Sequence, residues 1–127
     1  MSDIERNKAN VVRFYEMALN EMRPRDAIEQ FVGSDYVQHN LKVPTGKQGF
    51  IDYIENVGRE WPGMRVTIRR VIAEGPFIVL HSSQVWPGTD DWAAIDIFRV
   101  DDDGKIVEHW DVVQAVPSEA AHDNGMF

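Results

Sequence analysis

Residues 92–100, Trp-Ala-Ala-Ile-Asp-Ile-Phe-Arg-Val, and residues 105–114, Lys-Ile-Val-Glu-His-Trp-Asp-Val-Val-Gln, flank Asp101-Asp102-Asp103-Gly104. Two runs rich in β-branched and aromatic residues, joined by an Asp-Gly turn, predict an antiparallel hairpin. On a strand, alternate side chains share a face. Trp92, Ala94, Asp96 and Phe98 therefore lie together, as do Val107, His109, Asp111 and Val113. A two-residue turn sets Asp96 opposite Asp111, and a four-residue turn sets it opposite His109. Only an odd-length turn separates them, by setting Asp96 against Glu108 or Trp110.

Directly opposite residues have Cβ atoms about 5 Å apart, so these three ionisable groups can touch. On a buried face Asp96 loses solvation, which is expected to raise its pKa. A second carboxylate adds to that effect, and a protonated histidine opposes it. Coupled groups of this kind suit general acid–base chemistry at neutral pH. The alternative is a solvated face that the charges merely keep wet; the flanking Trp92, Phe98 and Val107 favour burial.

Upstream of the hairpin, Met64, Val66 and Ile68 alternate with Arg65, Thr67 and Arg69, and Arg70-Val71-Ile72 breaks the alternation at an expected bulge. Glu74-Gly75-Pro76 turns the chain into a strand from Phe77 to Trp86, and Pro87-Gly88 turns it again. The strand region is thus a four-stranded meander. Before residue 64 the period is helical. Ser2 and Glu5 have capping-box spacing, and Val11, Phe14, Tyr15, Ala18, Leu19 and Met22 form one face of a helix ending at Arg23-Pro24. A short helix with Ala27, Ile28 and Phe31 inward stops at Gly33. Thr45-Gly46 opens a third, with Phe50, Ile51, Ile54 and Val57 buried, and Trp61-Pro62-Gly63 closes it.

Helices followed by an antiparallel meander imply an α+β fold with the helices on one face of a curved sheet. At 127 residues and 43% hydrophobic, with no repeat or linker, the chain is expected to be a single domain, 1–127, with residues 118–127 a mobile tail. A net charge of -8 repels phosphate backbones and anionic lipid, so neither nucleic acid nor membrane is an expected partner. Absent cysteine excludes disulfides and thiolate chemistry. No signal-like or membrane-spanning apolar run occurs, and a cytoplasmic location is expected.

His39, with Tyr36 and Asn40, clusters hydrogen-bonding groups on a short extended or turn segment, where His39 either lines a pocket or is structural. His81 is expected as a bonded core histidine. Trp61, Trp86 and Trp92 flank turns where a pocket rim would sit; Trp61, Trp92 and Phe98 are candidate ligand contacts, with a purely core role the alternative. Trp110 should face the other side from His109. Metal ligation by His39, Asp96, His109 and Asp111 is chemically open, but no HExxH-type spacing supports it, and no metal or cofactor is expected.

Tyr36-Val37-Gln38-His39-Asn40, Ile95-Asp96-Ile97-Phe98-Arg99-Val100 and Asp103-Gly104-Lys105-Ile106-Val107-Glu108-His109-Trp110-Asp111 together resemble the SnoaL-like polyketide cyclases of the nuclear transport factor 2-like superfamily, over nearly the whole chain. The resemblance implies a cone-shaped α+β barrel: a strongly curved antiparallel sheet around helices, enclosing a pocket, often in a homodimer. It implies a cofactor-free aldol-type cyclisation or isomerisation of a small, largely apolar organic molecule. Asp111 matches the acid–base aspartate, with Asp96 and His109 assisting and His39, Tyr36 and Asn40 as pocket groups. A related epoxide hydrolase arrangement needs an arginine between two aspartates, and Arg99 should point away from Asp96. A non-catalytic ligand-binding pocket and a dimerisation module are the rival readings within the same fold.

Overall fold

The computed structural model describes residues 3–127. Its elements run α1 (Asp3–Leu19), α2 (Pro24–Phe31), β1 (Val32–Gln38), α3 (Lys47–Glu60), β2 (Arg65–Glu74), β3 (Phe77–Val85), β4 (Asp91–Val100) and β5 (Ile106–Ala115). The Ser2 half of the expected capping box lies outside the described residues. α1 ends earlier than its apolar stripe suggests. Asn20 makes two bonds to the backbone of Val66, accepting from its N–H at 2.8 Å and donating to its C=O at 2.9 Å, which ties the helix end to β2. Met22 then turns through a positive φ of 52°, and Pro24 opens α2 at the position where its missing N–H costs nothing.

The expected α+β fold is present, and the sheet is curved and open rather than closed. It also has a fifth strand. The chain does not stop at Gly33: Val32 adopts extended geometry, and β1 runs parallel to β5 at one edge of the order β1-β5-β4-β3-β2. The sheet is therefore mixed rather than antiparallel throughout. β2 to β5 form the expected meander, with the β2 bulge between Ile68 and Arg70.

The hairpin turn is of odd length, yet Asp96 lies opposite Asp111. Asp101 N–H bonds the Lys105 carbonyl at 2.8 Å and Val100 pairs with Ile106, a register that on its own would set Asp96 against Trp110. A bulge between Val100 and Arg99 lets Arg99 pair with Glu108 and takes up one extra residue of β5. The bulge restores the alternation that the turn had reversed. It also exchanges the inward residue: Ile106 is fully buried and Val107 only partly so, which corrects the expected membership of that face.

The core joins Val11, Phe14 and Ala18 of α1, Ala27 and Ile28 of α2, and Ile51, Ile54 and Val57 of α3 to Val66, Ile78, Leu80, Phe98, Val100 and Ile106 of the sheet. Phe14 packs against Phe50 at 5.3 Å and edge-on to Phe98 at 6.0 Å, so one ring connects α1, α3 and β4. No helix among the described residues is long and apolar enough to cross a membrane.

α1 also holds the hairpin turn. Asn10 donates to the Gly104 carbonyl and Arg6 to that of Asp102, each at 3.2 Å. Gly104 has φ 78°, and a Cβ there would come within 2.7 Å of Asn7 Oδ1. Gly104→Ala is therefore expected to cost more than about 1 kcal/mol in urea unfolding, because alanine is strained at positive φ and also meets α1. Equal midpoints for the two proteins would show that the turn relaxes freely.

Candidate active site

Three residues of the β4–β5 hairpin meet on its inner face. Asp96 is 2% exposed and His109 is 7% exposed, and Asp111 is half-buried beside them. His109 Nε2 lies 2.8 Å from Asp96 Oδ1. The reason is geometric: Asp96 is opposite Asp111, Phe98 is opposite His109, and the diagonal between Asp96 and His109 is short enough for a hydrogen bond. The imidazole is held between rings, 4.7 Å from Phe98 and 6.5 Å from Tyr36.

The remaining polar partners come from three other elements. Tyr15 of α1 donates to Asp96 Oδ2 at 3.0 Å. Gln84 of β3 donates to the Tyr15 hydroxyl at 3.0 Å, and the Trp86 indole donates to Gln84 Oε1 at 3.0 Å. From β1, Gln38 Oε1 sits 2.8 Å from His109 Nδ1. Just beyond β1, Asn40 donates to Asp111 Oδ2 at 3.1 Å. Tyr15, Gln84 and Gln38 are not among the candidates that the sequence pattern yields. Gln84 follows Ser82 on the inward face of β3, and polar residues on an apolar face are the same mark that singles out Asp96. Tyr15 reads as an ordinary member of a helical apolar stripe, and nothing in that pattern shows where its hydroxyl goes.

Strand alternation sets His39 at the border of the cavity, outside the polar cluster. On β1, Tyr36 and Gln38 turn inward while Val37 is exposed, and His39 continues the outward set. His39 borders the cavity, but its ring stacks on Trp110 at 4.8 Å and bonds Glu108 on the outer face at 2.7 Å. Arg99 bonds Glu108 there too, at 2.8 Å, so it points away from Asp96 as expected. His39 and Arg99 together pull the Glu108 carboxyl below its ordinary range. His81 is likewise not in the core: it is half-buried on the outer face, against Arg70 and the ring of Phe127.

The polar cluster opens into a cavity of about 900 Å³. Phe14, Phe50, Trp61, Trp86, Trp92 and Phe98 are among its walls, and Trp61 and Trp86 are in contact at 5.1 Å. Burial pushes the Asp111 carboxyl above its usual range. His109 and the Asn40 hydrogen bond pull it back, and Asp96 adds to the rise. Burial also pushes the Tyr36 and Tyr15 hydroxyls well up, so both remain neutral donors. Donor atoms of Asp96, His109 and Asp111 all lie within 4.8 Å of one another, a spacing that would suit a metal ion. Asp96 and His109 already direct these atoms at each other.

The SnoaL-like domain model matches residues 11–109. The chain belongs to this family. No curated protein matches the SnoaL-like chain in sequence. Among solved structures, a polyketide cyclase candidate from Bacillus cereus is 25% identical with a TM-score of 0.70, covering 82% of this chain and 71% of its own. A polyketide cyclase candidate from Acidithiobacillus ferrooxidans is 15% identical with a TM-score of 0.74, covering 89% and 91%. An isomerase candidate of the SnoaL-like family from Agrobacterium tumefaciens is 21% identical with a TM-score of 0.68, covering 86% and 98%. This SnoaL-like domain thus sits in a family of small-molecule cyclases and isomerases.

The raised Asp111 carboxyl has a consequence for stability. The folded protein holds this proton more tightly than the unfolded chain does, so stability falls as pH rises from the ordinary carboxyl range through the raised one. Asp111→Asn removes that cost while its amide oxygen can still accept from Asn40. Thermal unfolding should show a higher Tm than the parent at neutral pH and little difference in acid. A gain of the same size at both pH values would mean that the carboxyl is not perturbed.

Proposed function

We propose that this SnoaL-like domain is a cofactor-independent enzyme that moves a proton at a carbon next to a carbonyl, in an aldol-type cyclisation or an isomerisation. The observation that carries the reading is Asp111, a half-buried carboxylate whose proton affinity is raised, at the polar end of an aromatic-walled cavity. A raised carboxylate is a stronger base than an ordinary one. Its substrate is a small, largely apolar organic molecule with a carbonyl directed at the polar end, resting on Trp61, Trp92 and Phe98.

Asp111 takes the proton from carbon and returns it at the end of the cycle. The enolate oxygen that develops needs a donor. Tyr36 supplies it: its hydroxyl accepts weakly from Gln38 at 3.5 Å, and among the described residues nothing accepts its own proton. Tyr15 cannot fill that role, because its proton already goes to Asp96. Asn40 orients Asp111, and its own orientation is set by Lys42 N–H donating to its Oδ1 at 2.9 Å. His39, turned outward, has no part in the chemistry.

The test is deuterium exchange at the carbon next to the carbonyl of polycyclic aromatic ketones, followed by NMR in D2O with and without a chelator. Asp111→Asn is expected to lower the exchange rate by about 10²–10⁴-fold, the range for a general base. Tyr36→Phe should lower it by about 10²–10³-fold, the range for one oxyanion donor. Ketones that bind without exchanging would leave a ligand-binding pocket. Exchange lost on chelation would require a metal.

The reading extends to a pair of copies meeting through the outer face of the sheet, where Val112 is 74% exposed and Phe77 and Ile95 are also open. Val112→Glu should then shift the chain from dimer to monomer in light scattering. An unchanged mass would sink the arrangement.

A further inference from the structure

Two amides in the polar cluster have orientations fixed from outside it, and together they determine where the protons are. Hydrogen positions follow from the network once one member is a group with a single possible role. A backbone N–H and an indole N–H are such members, since both can only donate.

The first anchor is the backbone N–H of Asn40, which donates to Gln38 at 2.9 Å. The atom it meets must be the amide oxygen, because the alternative orientation of Gln38 would set two donors face to face. The same Oε1 lies 2.8 Å from His109 Nδ1. An oxygen that only accepts requires a proton on Nδ1. The second anchor is Trp86, whose indole N–H donates to Gln84 Oε1. Gln84 must then donate through Nε2 to the Tyr15 hydroxyl, and the Tyr15 hydroxyl passes its own proton to Asp96 Oδ2.

These directions leave the 2.8 Å contact between His109 Nε2 and Asp96 Oδ1. With Nδ1 protonated, a neutral imidazole presents a lone pair at Nε2, and a carboxylate presents another. Two lone pairs do not approach to this distance in a buried site without a proton between them.

We infer that Gln38 is a positioning residue: it locks His109 in the Nδ1–H state, so that the Asp96–His109 contact holds one further proton. The pair is neutral as a unit, either as carboxylate with imidazolium or as carboxylic acid with imidazole. Asp96 is thereby removed as a rival base, and Asp111 is left as the carboxylate of the floor whose charge no buried proton cancels. The groups facing the pair from the packed elements are Tyr15 on α1, Tyr36 on β1 and Asp111 on β5. Both tyrosines are neutral, and Asp111 is the one whose charge changes in the cycle. The participation of this arrangement in turnover rests on the reading of Asp111 given above; the arrangement itself does not.

The experiment is long-range ¹H–¹⁵N NMR of the ¹⁵N-histidine-labelled full chain at neutral pH, with the His109 signals identified by their loss in His109→Gln. The expected wild-type pattern has Nδ1 protonated. Gln38→Glu keeps an acceptor at the same place and should preserve that pattern. Gln38→Leu removes it, and His109 should shift to the form with Nδ1 bare and Nε2–H donating to Asp96. A bare Nδ1 in the wild type overturns the inference, as does a Gln38→Leu spectrum identical to the parent. If Gln38→Leu does not fold, the wild-type and Gln38→Glu spectra decide alone, and loss of the Nδ1 proton in either overturns it. Where a substrate ketone exchanges, Gln38→Leu should lower kcat and leave KM unchanged, with Gln38→Glu restoring turnover. Spectra as expected with no exchange in any ketone would leave the positioning role intact and remove the catalytic reading instead.

Discussion

The hydrogen bond between Asp96 and His109 is the constraint on which the inner half of the molecule depends. Both side chains are withdrawn from water, so each polar atom left without a partner would cost stability on the order of 1–3 kcal/mol. The surrounding elements meet that requirement. α1 brings Tyr15, β3 brings Gln84, β1 brings Gln38, and the hairpin register brings the two residues themselves together. The bulge in β5 belongs to the same requirement. Without the extra residue, His109 and Asp111 would lie on the outer face, and Glu108 and Trp110 would turn toward the cavity in their place.

The neutrality of that bond bears on the cavity above it. An unpaired buried Asp96 would repel the charge on Asp111 and press it toward protonation still more strongly. A proton held between Asp96 and His109 softens the repulsion, and burial remains the main influence on Asp111. The aromatic walls fit this economy of charge. The Trp and Phe rings that line the cavity beside the polar cluster offer shape and dispersion rather than hydrogen bonds.

Much of this is legible in the residue order, for definite reasons. The helices carry a period near 3.6 and the meander a period of 2, and a carboxylate or imidazole on an otherwise apolar strand face stands out from that alternation alone. The common face of Asp96, His109 and Asp111 follows from it, although the odd turn and the compensating bulge that produce that face do not. Strand β1 leaves no comparable trace. Its partner lies some seventy positions away and runs parallel, so no hairpin turn announces it. Without a recognisable strand there is no alternation to apply, and side-chain chemistry by itself favours His39 over its neighbour Gln38. A residue's chemistry suggests the site, but the backbone's pleat decides which neighbour faces it.

The parallel edge strand also orders events in time. β2 to β5 are joined by short turns and close over small loops, whereas β1 must wait for a partner far along the chain, and such non-local pairing is the slow part of folding. Gln38 and Asn40 enter with β1 or just after it. The acid–base groups of the hairpin are therefore expected to come together before Gln38 and Asn40 reach them. The same edge, bonded on one side only, is the natural place for the native molecule to open briefly. Amide exchange along β1 would then report how often the buried histidine meets water.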